Sequence, residues 1–117
     1  MEKREELAER LIGFAVRIIK LVDALPKTGV GKHIGGQLLR CGTSSGANYE
    51  EACGAESKAD FAHKLGIVLK ELKESRFWLR VICRAEILDS KRVEPLIQEC
   101  EELCAIIAKS IITVKKC

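Results

Sequence analysis

The chain has 117 residues, of which 47% are hydrophobic and 32% charged, a mixture that suits one domain around one apolar core and excludes intrinsic disorder. A net charge of +3 permits a polyanionic partner but is milder than dedicated nucleic-acid modules carry. The opening Met1-Glu2-Lys3-Arg4-Glu5-Glu6 has no apolar leader, and charges or glycines interrupt every later apolar run short of a span, so a cytoplasmic protein with no membrane contact is expected.

A first helix is predicted over about 3–25, where Leu7, Leu11, Phe14, Ile18, Leu21 and Leu25 recur at helical spacing. Pro26 ends it, and Pro26-Lys27-Thr28-Gly29 supplies a connection short enough to join antiparallel neighbours. Lys3, Arg10 and Arg17, seven apart, form a basic line read as a solvated face. The second helix, over about 30–53, carries many glycines, each costing roughly 0.5–1 kcal/mol relative to Ala, so packing must hold it and a kink near Gly42 to Gly46 is expected. Gly42-Thr43-Ser44-Ser45-Gly46-Ala47 reads as a tight helix contact. A phosphate loop would need a preceding strand and a Gly-Lys-Ser or Gly-Lys-Thr ending, and both are missing.

Ser57 and Asp60 resemble a capping box that starts a third helix over about 57–88. At roughly 100° per residue, Phe61, Leu65, Val68, Leu72, Leu79 and Ile82 fall on one core stripe. Ile67, Phe77, Trp78, Val81 and Ala85 form a second apolar patch further round, so this helix is expected to be covered on two sides and the patch is a candidate oligomer interface. Lys73, Arg76, Arg80 and Arg84, spaced 3, 4 and 4, align as a basic ladder able to neutralise phosphates, while Glu71 and Glu74 point toward the apolar patch. The competing reading is that these arginine stems cover apolar surface and pair with carboxylates of a neighbouring helix. Asp89 and Ser90 are caps for a fourth helix over about 90–114, in which Pro95 fits only in the first turn. Four helices with short links predict an all-α, up-down-up-down four-helix bundle spanning residues 1–117.

The polar inventory of the inward faces is thin. His33 and His63 have no carboxylate or Cys partner at helical spacing, and the Glu50-Glu51 pair lacks the Glu-x-x-His motifs of di-iron bundles. Trp78 and Tyr49 are dispersed and suit a core or interface better than base stacking. Cys41, Cys53, Cys83, Cys100, Cys104 and Cys117 read as thiols rather than disulfides. Cys100 and Cys104 share a helix face, but no CxxC pair or His completes a tetrahedral metal site, so they are expected to be small core residues, and Cys117 a reactive terminal thiol. No enzymatic activity, cofactor or metal is expected.

Gln37-Leu38-Leu39-Arg40, the stretch from Thr43 to Ala52, Ser57-Lys58-Ala59-Asp60-Phe61, Leu69-Lys70-Glu71-Leu72 and Phe77-Trp78-Leu79 together resemble the bacterial four-helix-bundle family encoded in intervening sequences of 23S ribosomal RNA. Ser44, Asn48 and Glu51 meet its Ser-x-x-x-Asn-x-x-Glu pattern, and Ser57, Lys58, Asp60 and Phe61 its Ser-Lys-x-[Glu/Asp]-Phe helix start. Gly46 stands where many relatives have Pro, and Ala52 replaces a frequent Gly. The resemblance implies a left-handed up-down bundle and a ring-like homopentamer, and nothing in it implies an active site. A related branch, the accessory proteins of diversity-generating retroelements, consists of similar pentamers that bind a reverse transcriptase and nucleic acid. The expectation is therefore a homo-oligomeric scaffold that binds structured RNA or a nucleoprotein through the ladder, with Asn48 and Glu51 hydrogen-bonded across a helix contact. A protein-only adaptor is the alternative, and a small-ligand or metal bundle using Cys100 and Cys104 a third reading.

Overall fold

The computed structural model describes residues 2–116 and shows an all-α fold of four helices: α1 (Glu2–Asp23), α2 (Gly29–Cys53), α3 (Lys58–Arg84) and α4 (Ser90–Lys116). Connections of four or five residues force each helix to run back along its predecessor, giving an up-down bundle 47 Å long and about 20 Å across. α2 packs on α1 and α3, α3 on α4, and α1 only lightly on α4. α1 and α3 thus stand at opposite corners. None of the described helices is long and apolar enough to cross a membrane.

The core is what the helical periodicity places inward. Leu11, Phe14 and Ile18 from α1, Leu38 and Cys41 from α2, Leu65, Val68, Leu72, Leu79 and Ile82 from α3, and Val93, Leu103 and Ile107 from α4 are sealed from solvent. Each large aliphatic side chain so buried contributes about 1.5–3 kcal/mol of transfer free energy. Phe61 is the exception on the α3 stripe. It lies near the bundle end, half-buried, with the Arg4 guanidinium 4.7 Å from its ring centroid, while Ala62 and Ser75 complete the inward face.

The helix ends follow local chemistry. Thr28 accepts from the amide of Gly31 at 3.1 Å to start α2, and a Cβ on Gly31 would lie 2.0 Å from the carbonyl oxygen of Pro26, so the turn closes only around glycine. Ser57 accepts from the amide of Asp60 at 3.1 Å, whereas the Asp60 carboxylate receives Lys64 one turn on, also at 3.1 Å. Asp89 accepts from the amide of Lys91 at 3.0 Å.

Several boundaries differ from those read in the sequence. α1 closes at Asp23 rather than 25, and Leu25 is buried from the link beyond it. α3 ends at Arg84 rather than 88. The Ile87 amide reaches back to the Ile82 carbonyl at 3.0 Å and that of Glu86 to Cys83 at 3.1 Å, with Glu86 at φ 55. That is a Schellman stop with glutamate in the left-handed position glycine usually fills, so no glycine marked it. Pro95 is the sixth residue of α4, one turn deeper than expected, and is tolerated because both Pro95 and Lys91, whose carbonyl it leaves unbonded, are exposed. α2 runs unbroken through Gly42 and Gly46. There the expected close contact is with α1: a Cβ on Gly42 would sit 2.9 Å from Cγ1 and Cγ2 of Ile18.

Candidate interaction surface on the third helix

α3 packs on both neighbours with its inward face, which leaves an outward arc of two different characters. The side leaning toward α2 is apolar and then ionic. Trp78 packs edge-on against His33 of α2, ring centroids 5.9 Å apart, and against Phe77 at 5.0 Å. Its indole N–H donates to Glu74 at 3.4 Å. Arg40 of α2 spans Glu74 and Glu71, the latter at 3.4 Å, and Ser44 donates to Glu71. The Arg40 guanidinium, helped by Trp78, holds the Glu74 carboxyl below its usual range. The inclination of Glu71 and Glu74 toward the apolar patch therefore has a cause in the fold: they receive Arg40, whose role in clamping α2 to α3 no spacing within either helix revealed. Of the motif residues, Ser44 joins this network. Asn48 is half-buried and Glu51 exposed, and neither makes a side-chain hydrogen bond among the described residues.

The apolar patch itself is uncovered in the single chain. Phe77 is 56% exposed and Ile67 38%; Ala85 is exposed, while Trp78 and Val81 are half-buried. A shallow depression lined by Phe77, Arg80, Val81, Arg84 and Ala85 separates the patch from the ladder.

The side leaning toward α4 is cationic. Lys73, Arg80 and Arg84 are exposed and Arg76 half-buried, and none of the four forms an ion pair among the described residues. Of the carboxylates around the ladder, Glu71 and Glu74 of α3 are engaged by Arg40, and Glu99 and Glu102 of α4 by Arg10 of α1 at 2.6 and 3.1 Å. Arg10 is thus no solvated face, contrary to the sequence reading. It ties the two loosely packed helices together. Four neighbouring cations with no carboxylate at ion-pair distance among the described residues form a field that attracts anions.

Beneath the ladder lies a thiol seam that periodicity did not reveal as a unit. Ser75, fully buried, donates to the Glu71 carbonyl at 2.8 Å and lies 3.3 Å from the Cys41 sulfur. Cys100 donates to the Leu72 carbonyl at 3.1 Å. Its contact with Cys104, assisted by Arg76 and Lys73, lowers the Cys104 pKa to about 7, and the same contact together with burial raises that of Cys100. Both are core residues, and no cluster of three His, Cys, Asp or Glu side chains suited to a metal ion occurs among the described residues. Cys117 lies outside the described residues. Tyr49 is buried, its hydroxyl pKa pushed up to about 12 by burial and by Cys53, and offers no stacking face. His63 is exposed.

Residues 4–109 match the family model described as 23S rRNA-intervening sequence protein. Among solved structures, a protein of unknown function from the S23 ribosomal protein family of Bacteroides thetaiotaomicron superposes with a TM-score of 0.84 at 35% sequence identity, over 90% of this chain and 97% of that one. No curated protein matches the sequence.

Proposed function

This chain belongs to the 23S rRNA-intervening sequence protein family, and on that footing we propose that it is a non-enzymatic, homo-oligomeric scaffold that binds structured RNA, free or within a nucleoprotein, through the basic side of α3. The observation that carries this reading is the ladder of Lys73, Arg76, Arg80 and Arg84 left without carboxylate partners, when Arg10 and Arg40 on the helices around it are both paired. Unneutralised, regularly spaced cations release counterions from a phosphate backbone on contact, and that release gives a polyanion its affinity. The uncovered patch of Ile67, Phe77, Trp78, Val81 and Ala85 supports self-association, since an apolar helix side next to a cationic one is stabilised by burial against another protein surface. Several copies of a weak ladder then act as one multivalent surface, the arrangement that the family's ring-like homopentamers suggest.

The test is fluorescence anisotropy of a labelled RNA hairpin titrated with protein at several salt concentrations, with light scattering on the same samples. Wild type is expected to bind with an affinity that falls steeply with salt. Arg76→Ala/Arg80→Ala is expected to lose at least about tenfold at low salt and to show a shallower salt slope at unchanged oligomer mass. Equal binding by variant and wild type would remove the ladder from the function. An oligomer that binds no RNA would leave the protein-only adaptor.

A further inference from the structure

We propose that the end of the bundle where α1 begins and α4 closes binds an amphipathic organic anion, a medium-chain carboxylate whose acyl chain lies between the helices and whose head group meets Arg4. α1 leaves apolar side chains uncovered in two places. Ile12, Val16 and Ile19, spaced four and three, form an outer stripe. Near the start of the helix the uncovered surface is a hollow instead. α1 and α4 pack only lightly, and Arg10 ties them through Glu99 and Glu102. From Arg10 toward Lys3 the two helices leave about 560 Å³ open between them, with Tyr49 of α2 and Phe61 and Leu65 of α3 beneath. A second hollow of about 410 Å³ adjoins it, shares Arg4, Phe61, Thr113 and Val114, and reaches Ser57 ahead of α3. Small-molecule sites span roughly 300–1,000 Å³, so a ligand of about a dozen heavy atoms fits.

The lining is apolar below and cationic at the rim. Leu7, Tyr49 and Leu65 are buried, and Phe61, Ile106 and Val114 half-buried. The Ser110 and Thr113 hydroxyls donate to the carbonyls of Ile106 and Lys109 at 2.9 and 3.0 Å, so neither brings a free donor to the hollow. Lys3, Arg4 and Lys109 are exposed, and none forms an ion pair among the described residues. Glu6 is the carboxylate that faces them across the larger hollow, and the smaller one adds Lys58 and Glu56, one charge of each sign. The balance at the mouth is positive.

Arg4 is the cation with a fixed place. Its guanidinium stacks over the Phe61 ring at 4.7 Å, which orients the group while its N–H fork meets no carboxylate among the described residues. A planar fork held at the mouth of an apolar hollow suits a carboxylate, which it receives through two parallel hydrogen bonds. An inorganic anion would gain the rim and leave the hollow empty, and an alkyl cation would fill the hollow against the charge of the rim. A carboxylate on an acyl chain uses both. The ladder takes no part, since Lys73, its nearest member, lies twelve residues beyond Phe61 on α3, roughly 18 Å along the axis.

Isothermal titration calorimetry of the full chain with decanoate, below its micelle concentration, tests the inference. Saturable binding of one decanoate per chain is expected. Each methylene removed from water is worth roughly threefold to fourfold in affinity, so hexanoate should bind at least about tenfold more weakly. Decyltrimethylammonium and inorganic phosphate should bind more weakly still. Arg4→Glu, an acid in the first turn of α1 where the helix favours one, should weaken decanoate at least about tenfold and strengthen decyltrimethylammonium. Ser110→Trp fills the hollow and should abolish decanoate binding, with circular dichroism checking that both variants remain helical. No saturable binding to wild type overturns the inference, as does phosphate binding as tightly as decanoate or an Arg4→Glu variant that binds decanoate unchanged. Decanoate binding confined to concentrations where light scattering shows a monomer assigns the hollow to a second copy of the chain and overturns it too.

Discussion

Replacing Gly42 by Ala places one methyl group where α1 and α2 come closest. The new Cβ would lie 2.9 Å from both Cγ1 and Cγ2 of Ile18 and 3.3 Å from its Cβ, against roughly 3.5–4.0 Å for an ordinary carbon contact. Ile18 cannot swing aside, since it is fully buried and branched at Cβ, which fixes its χ1 in a helix. The overlap must be relieved by moving α1 from α2, at an overpacking cost of about 1–3 kcal/mol. The helix recovers part of this, since alanine is favoured over glycine in a helix interior by roughly 0.5–1 kcal/mol. The expected net loss is about 0.5–2 kcal/mol, or a melting temperature lower by roughly 2–8 °C. Gly36→Ala is the matched control on the same helix. A Cβ there meets nothing within 4 Å, so the identical chemical change should stabilise by about 0.5–1 kcal/mol. Urea denaturation of the two variants and wild type, followed by circular dichroism, reads the difference in sign. If Gly42→Ala proves as stable as Gly36→Ala, the contact between α1 and α2 is not as close as described and the argument from Ile18 fails.

Glu86→Gly should stabilise by about 0.5–1 kcal/mol, because glycine accepts the left-handed conformation at φ 55 that costs glutamate more than glycine loses in unfolded-chain entropy; a urea midpoint at or below wild type would contradict the Schellman stop. Arg10→Ala removes the bonds to Glu99 and Glu102 that tie α1 to α4, and at their partial exposure about 0.5–1 kcal/mol is expected, shrinking in 0.5 M salt on the order of half; a loss that salt leaves unchanged would point to packing instead. The Arg40 and Glu74 pair sets an acid dependence. The folded-state pKa of Glu74 is lowered, so its contribution is fully present above the unfolded carboxyl value and is lost as pH falls through the lower folded value. Wild type should therefore lose more stability between neutral and strongly acidic pH than Arg40→Ala does, and equal losses in chemical denaturation at the two pH values would refute the clamp.

The bundle was legible in the sequence because it depends on periodicity, and periodicity is local. Leu11, Phe14, Leu65, Leu72 and Ile107 repeat at the spacing of a buried stripe whatever lies opposite, and Ser57 and Asp89 cap helices through amides only two or three residues away. The end of α3 was not legible, since a glutamate in a glycine conformation is stabilised by the backbone bonds around it and leaves no mark in residue type. The candidate surface divides in the same way. The ladder and the patch were visible on α3 as two spacings within one helix. Whether the ladder was already neutralised depended on which cations the carboxylates of α3 and α4 meet, and only the packed bundle shows Arg40 taking Glu71 and Glu74 and Arg10 taking Glu99 and Glu102. The outer stripe of α1 remained hidden for a related reason: Ile12, Val16 and Ile19 look like part of an ordinary helical pattern until the neighbours that do not cover them are in place. What the sequence determines by itself is which residues of each helix seek burial. Which of those find it within one chain is decided by the tertiary structure, because burial is a property of two surfaces and a sequence presents them one at a time.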